Sequence, residues 1–184
     1  MSEAHAPEPT PGQRTVSRRQ ALAVGGGLAV AAAAGSVTGA APASAGDARP
    51  QTLLSVSLEQ ARAVLKAAER EATRIQVPAY VVVVDVCGDV KASSRQDGNA
   101  RASLTLAPLK AQTALAFRVA TATLAQRTTD PVRAQSFLAA GFTLLGGGLP
   151  IRSGTQVIGA IGVGGGSPEQ DVQIAEAGLA ALGR

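Results

Sequence analysis

Two glycine triplets, Gly146–Gly148 and Gly164–Gly166, bracket a β-type run from Thr155 to Val163 within the stretch Phe142 to Gly183. Glycine has no Cβ, so its backbone takes positive φ and lets a neighbouring backbone come close. The second triplet leads into Ser167-Pro168-Glu169-Gln170-Asp171. Ser167 with Gln170 three residues on is a capping box, and Pro168 falls at the first helical position, where its missing N–H costs nothing. This strand, loop and helix start could cradle an anion on unpaired N–H groups. The spacing, however, matches neither GxGxxG after a strand nor GxxxxGK[ST]. Pro168 also removes a donor, and Glu169 and Asp171 bring negative charge, so the reading is a tight turn.

Residues 1–45 have the features of a targeting segment and stand apart from the fold. Ser17-Arg18-Arg19-Gln20-Ala21-Leu22 is a twin-arginine pattern, Ala21 to Ala34 is a weakly apolar stretch, and Ala43-Ser44-Ala45 is a cleavage site before Gly46. The apolar stretch is too short and too rich in Ala and Gly to span a membrane. The expectation is a protein secreted by the twin-arginine route, with no transmembrane span, whose mature domain is residues 46–184.

Cleavage would remove three of the 17 basic and two of the 13 acidic residues, leaving net +3. It would also remove His5, the chain's one histidine. A Ser-His-Asp or Cys-His site is then impossible, and one cysteine without histidine excludes the usual zinc sites. Aromatic residues are 2% of the chain and the basic residues are scattered, which argues against nucleic acid as a partner. A single cysteine, Cys87, excludes an internal disulfide framework.

In the mature part, Ser57 and Gln60 form a capping box at the start of a helix whose apolar face is Leu58, Ala61, Leu65, Ala68, Ala72 and Ile75. Pro78 ends that helix. Ala79 to Val86 is too continuously apolar for a half-exposed strand, so it reads as a central strand covered on both faces. Gly88-Asp89 predicts a two-residue turn back through Val90 to Arg95. Tyr80 and Cys87, at the two ends of the central strand, are expected in the core. Asp85, Asp89 and Asp97 are expected to form turns rather than bind a cation.

Ser103 or Thr105 opens the next helix, with Pro108 expected in its first turn. Ala107, Ala111 and Ala114 give that helix a smooth face, suited either to close strand packing or to a flat ligand. Thr121 to Asp130 reads as a surface turn region. Asp130-Pro131 starts a short helix closed by Gly141. A final helix follows, with Val172, Ile174, Ala175, Leu179 and Leu182 on its face. Turn-linked strands with segregated helices predict a single α+β domain with an antiparallel sheet.

Several motifs carry a resemblance. Asp85-x-x-Gly88, Asp97-Gly98, Lys110-Ala111-x-Thr113-Ala114, Gly147-Gly148-Leu149-Pro150-Ile151 and Gly159-x-Ile161-Gly162-Val163 followed by Pro168-Glu169-x-Asp171 together resemble the GlcG/HbpS-like family of haem-binding and proposed haem-degrading proteins. The resemblance runs from about Leu58 to Leu182. It implies a profilin-like α+β fold and homo-oligomers, often octamers in exported members. It also implies haem as cofactor and, for exported members, action beside a membrane sensor kinase. Within this resemblance Thr113 is the expected haem contact, and Lys110, Arg95, Arg101 and Arg118 are the candidate cations for the haem propionates. Gln96 stands where the family often has methionine, making that loop more polar. No residue constellation here supports enzyme activity. The competing reading is an oligomeric small-metabolite-binding protein or enzyme of the glycolate- or cobalamin-associated type.

Overall fold

A computed structural model describes residues 52–183; the targeting segment expected over residues 1–45 lies outside the described residues. The elements in chain order are α1 (Leu58–Arg74), β1 (Tyr80–Asp85), β2 (Val90–Arg95), α2 (Ser103–Phe117), α3 (Thr121–Arg127), α4 (Pro131–Ala139), β3 (Gly148–Ser153), β4 (Gln156–Gly164) and α5 (Pro168–Ala180). The four strands form one antiparallel sheet in the order β2-β1-β4-β3. The architecture is the expected α+β one.

β1 is central, and its side chains alternate between two cores. Val81 and Val83 join Ile161, Val163, Leu149 and Ile151 in facing α1 and α5, against Ala61, Val64, Leu65, Ile174 and Ala175. Val82 and Val84 join Ala160 in facing Ala107, Ala111 and Ala114 of α2. A valine run with both faces covered needs no polar alternation, and this is why the sequence shows none. The capping boxes expected at Ser57/Gln60 and Ser167/Gln170 both form.

The buried members of the second core are only valine and alanine because α2 lies almost on the sheet backbone. A Cβ on Gly162 would meet the carbonyl oxygen of Ala107 and come within 2.6 Å of the Ala111 nitrogen. On Gly148 it would fall 2.7 Å from Thr121 Cγ2. The smooth alanine face is therefore filled by strands and offers no platform for a flat ligand.

Three local expectations are corrected. The β1–β2 connection is the four-residue loop Val86–Asp89, not a two-residue turn, because Asp85 Oδ1 accepts from the N–H groups of both Cys87 (2.9 Å) and Asp89 (3.2 Å). Pro108 is the sixth residue of α2, inside the helix rather than in its first turn. Thr121 to Arg127 is a helix with Thr121 and Leu124 buried, not a surface turn. Thr121 Oγ1 accepts from Gly148 N (3.0 Å), so a threonine that weakens a helix by propensity ties this one to β3.

Candidate functional site

The expected site residues are spread along α2 and its flanks. Thr113, in the middle of the helix, is fully buried. Its Oγ1 donates to Leu109 O at 2.7 Å and accepts from Thr143 N at 3.2 Å. Lys110 is 3% exposed; its Nζ donates to Asp171 Oδ2 at 2.6 Å and to Val163 O at 2.9 Å. The ammonium is thus engaged inside the fold. Arg95 is exposed at the end of β2, and its Nη2 donates to Asn99 O at 3.0 Å. Arg101 is exposed just before α2, and Arg118 is exposed just after it, at the opposite end. The four cations are not gathered around Thr113.

Asp171, marked in the sequence by its first-turn position in α5 and by the Pro168-Glu169-x-Asp171 motif, is the buried partner of Lys110. Burial pushes its carboxyl above the usual carboxylate range, against the opposing pull of Lys110 and of the Gly166 N–H. A paired and hydrogen-bonded carboxylate satisfies the rule for a buried charge.

A cleft opens where α2 ends. It has a volume of about 630 Å³ and is walled by Leu115, Ala116, Phe142, Val157 and the Val86–Asp89 loop, with Gln112 and Arg118 as polar members. That volume lies in the range of cofactor sites, roughly 300–1,000 Å³. The Asp85 carboxylate shapes the loop, and Gly88 at φ +90° makes its sharp turn. Cys87 is consequently exposed in the cleft. The core placement expected for it is corrected. Alternation along a strand puts a residue in a core only while the strand continues, and β1 stops at Asp85. Tyr80, at the other end, does pack half-buried against the α2 core.

Arg118 holds its place through a left-handed backbone, φ +54°, which ends α2. Its carbonyl accepts from Arg152 Nη2 at 2.6 Å. Phe142 is braced edge-on by Phe117, with ring centroids 4.9 Å apart. The cleft therefore combines an apolar wall with a guanidinium, a thiol, the Gln112 amide and the Asp89 carboxylate. That set is chemically suited to a large, flat apolar group carrying anionic substituents and a metal.

The fold is a single α+β domain with a cleft at the end of α2, and sequence comparison assigns its family. The chain belongs to the HbpS-like family: the family described as "Haem degrading protein HbpS-like" matches residues 56–180. Among solved structures, a double mutant of Streptomyces reticuli HbpS is 33% identical with a TM-score of 0.67, covering 79% of this chain and 99% of that one. The PduOC:heme complex is 33% identical with a TM-score of 0.65, covering 71% of this chain and 96% of that one. The corrinoid adenosyltransferase PduO of Citrobacter freundii is 32% identical over 133 residues, 70% of this chain. The match spans only 39% of that enzyme's length.

Proposed function

We propose that the protein binds haem in the cleft at the C-terminal end of α2, as an exported accessory that sequesters haem. The observation that carries this reading is the convergence of Cys87 and Arg118 on one cleft of about 630 Å³ that has an apolar wall. Cysteine is among the side chains that hold haem iron. Arg118 is the cation, of the four expected, that lines this cleft, and guanidinium pairs well with carboxylates such as the haem propionates. Leu115, Ala116 and Phe142 supply the apolar contact. Thr113, the contact expected from the resemblance, would have to give up Leu109 O and Thr143 N before meeting a ligand; Cys87 needs no such change.

When bound, haem supplies an iron that reacts with peroxide. Cys87 and Arg118 are both exposed. Solvent access along that edge supports slow haem degradation as part of the reading. The twin-arginine segment supports export. The family resemblance supports a homo-oligomer, an octamer among the forms expected, and a membrane sensor kinase as partner. The corrinoid relatives favour the alternative, a small-metabolite-binding oligomer, but the match leaves more than half of those enzymes uncovered.

A haemin titration followed by absorbance tests the placement. Wild-type protein is expected to give a saturable Soret shift, and Ala116→Trp, which fills the cleft from an exposed position, is expected to abolish it. Arg118→Glu should weaken it by charge reversal. An unchanged titration in Ala116→Trp would remove haem from this cleft.

A further inference from the structure

At the other end of α2 lies a second cavity, of about 290 Å³, that the haem reading does not use. Ser103, Lys110 and Asp171 line it and are 4%, 3% and 2% exposed. Gly164 to Gly166 form another part of its wall. Leu145 and Pro168 also line it, and they continue into an apolar groove bounded by Leu144 and Val172.

The hydrogen-bond inventory of this cavity is unbalanced. An ammonium has three N–H donors. Lys110 spends two, on Val163 O and Asp171 Oδ2, and the third has no acceptor among the described residues. Ser103 Oγ accepts from Asn99 Nδ2 at 3.3 Å, and its own hydroxyl proton likewise has no acceptor among the described residues. Asp171 is engaged at both oxygens, Oδ2 by Lys110 and Oδ1 by Gly166 N at 3.0 Å. Asn99 Oδ1, beside Ser103, is a buried acceptor without a partner among the described residues. Two unfilled donors stand against that one acceptor, which leaves a donor in surplus beside an apolar groove. A surplus of donors selects a ligand rich in acceptors, and a carboxylate accepts most strongly.

Glu169 sets the other limit. It lines the groove, with its Oε2 accepting from Ser167 Oγ at 2.8 Å. A second negative group at the far end of the ligand would meet that carboxylate.

We infer that this cavity is a second binding site, for a short aliphatic monocarboxylate whose head meets Lys110 and Ser103 and whose tail lies along Leu145 and Val172. It stands independently of haem, at the opposite end of α2 from the cleft.

The test is a propionate titration followed by amide chemical shifts. Saturable shifts are expected at Ser103, Leu145 and Gly164–Gly166. Propionamide, which lacks the charge, is expected to bind about tenfold more weakly or worse, as is the dicarboxylate succinate. Leu145→Trp, at a position 45% exposed, is expected to remove the propionate shifts while keeping amide dispersion and the haemin titration unchanged. No saturable shift at millimolar propionate, equal binding of propionamide, or shifts that persist in Leu145→Trp would each overturn the inference. The haemin titration on the same sample reports on the cleft alone, so failure of one site is distinguishable from failure of the other.

Discussion

Gly162→Ala is expected to cost about 4 kcal/mol or more of folding free energy, and Gly162→Val to leave no folded protein. The reason is geometric. The new Cβ would overlap the Ala107 carbonyl oxygen and lie 2.6 Å from the Ala111 nitrogen, and both are backbone atoms that no rotamer change can move. α2 would have to lift off β4, opening the core that Val82, Val84 and Ala160 share with its three alanines. Overpacking against side chains typically costs about 1–3 kcal/mol, and backbone obstruction lies beyond that. Gly154→Ala is the control. It sits at φ +58° in the β3–β4 turn with nothing within 4 Å, so only the left-handed backbone penalty of about 1–2 kcal/mol applies. Urea unfolding of the two variants checks the contrast. Equal losses would mean that α2 does not rest on Gly162.

Lys110→Met is the second large effect. It removes the ammonium 2.6 Å from Asp171 and leaves a carboxyl that is 2% exposed without its cation. Breaking a buried pair from one side costs about 3–5 kcal/mol. The cost depends on pH in a definite direction. Burial already raises the Asp171 carboxyl, and losing Lys110 removes a group that pulled it down. A carboxyl raised in the folded state binds its proton more tightly there than in the unfolded chain. Stability is then greatest below the unfolded value, about 3.9, and falls as pH rises through the raised folded value. Lys110→Met should therefore lose more stability at pH 8 than at pH 5, as long as the protein folds at both. Lys110→Met combined with Asp171→Leu should recover much of the loss, since an apolar pair leaves no stranded charge. Denaturation curves at the two pH values decide this; a loss larger at pH 5 would contradict the burial of Asp171.

Much of the fold was legible because local and tertiary signals agree. The capping boxes at Ser57 and Ser167, the Asp130-Pro131 helix start and the doubly buried valine run all announce themselves within a few residues. α3 did not, because Thr121 stabilises its helix through Gly148, 27 residues away, and propensity cannot see that bond. The hairpin loop departs from the expected turn for a related reason. Gly88-Asp89 fits a two-residue turn, but the Asp85 side chain organises a wider loop.

The site was legible only in outline. The helix carrying Lys110 and Thr113 does flank the cleft, and Arg118 lies in it. Spacing along one helix, though, could not reveal that Lys110 meets a carboxylate 61 residues later. Nor could it reveal that Gln96 bonds to Ala79 N and Thr73 Oγ1, tying β1 to α1 where a methionine would only fill space. Cys87 lies outside the core because β1 ends at Asp85, one residue short of the expected Val86.

The most direct test of the account is the absorbance spectrum of the haemin-loaded protein compared with Cys87→Ser and Thr113→Val. If the cleft holds haem through the thiol of Cys87, Cys87→Ser moves the Soret band and weakens binding, while Thr113→Val leaves both as in the wild type. A Soret band and affinity unchanged in Cys87→Ser, or altered only in Thr113→Val, would contradict it and place the iron against the helix instead.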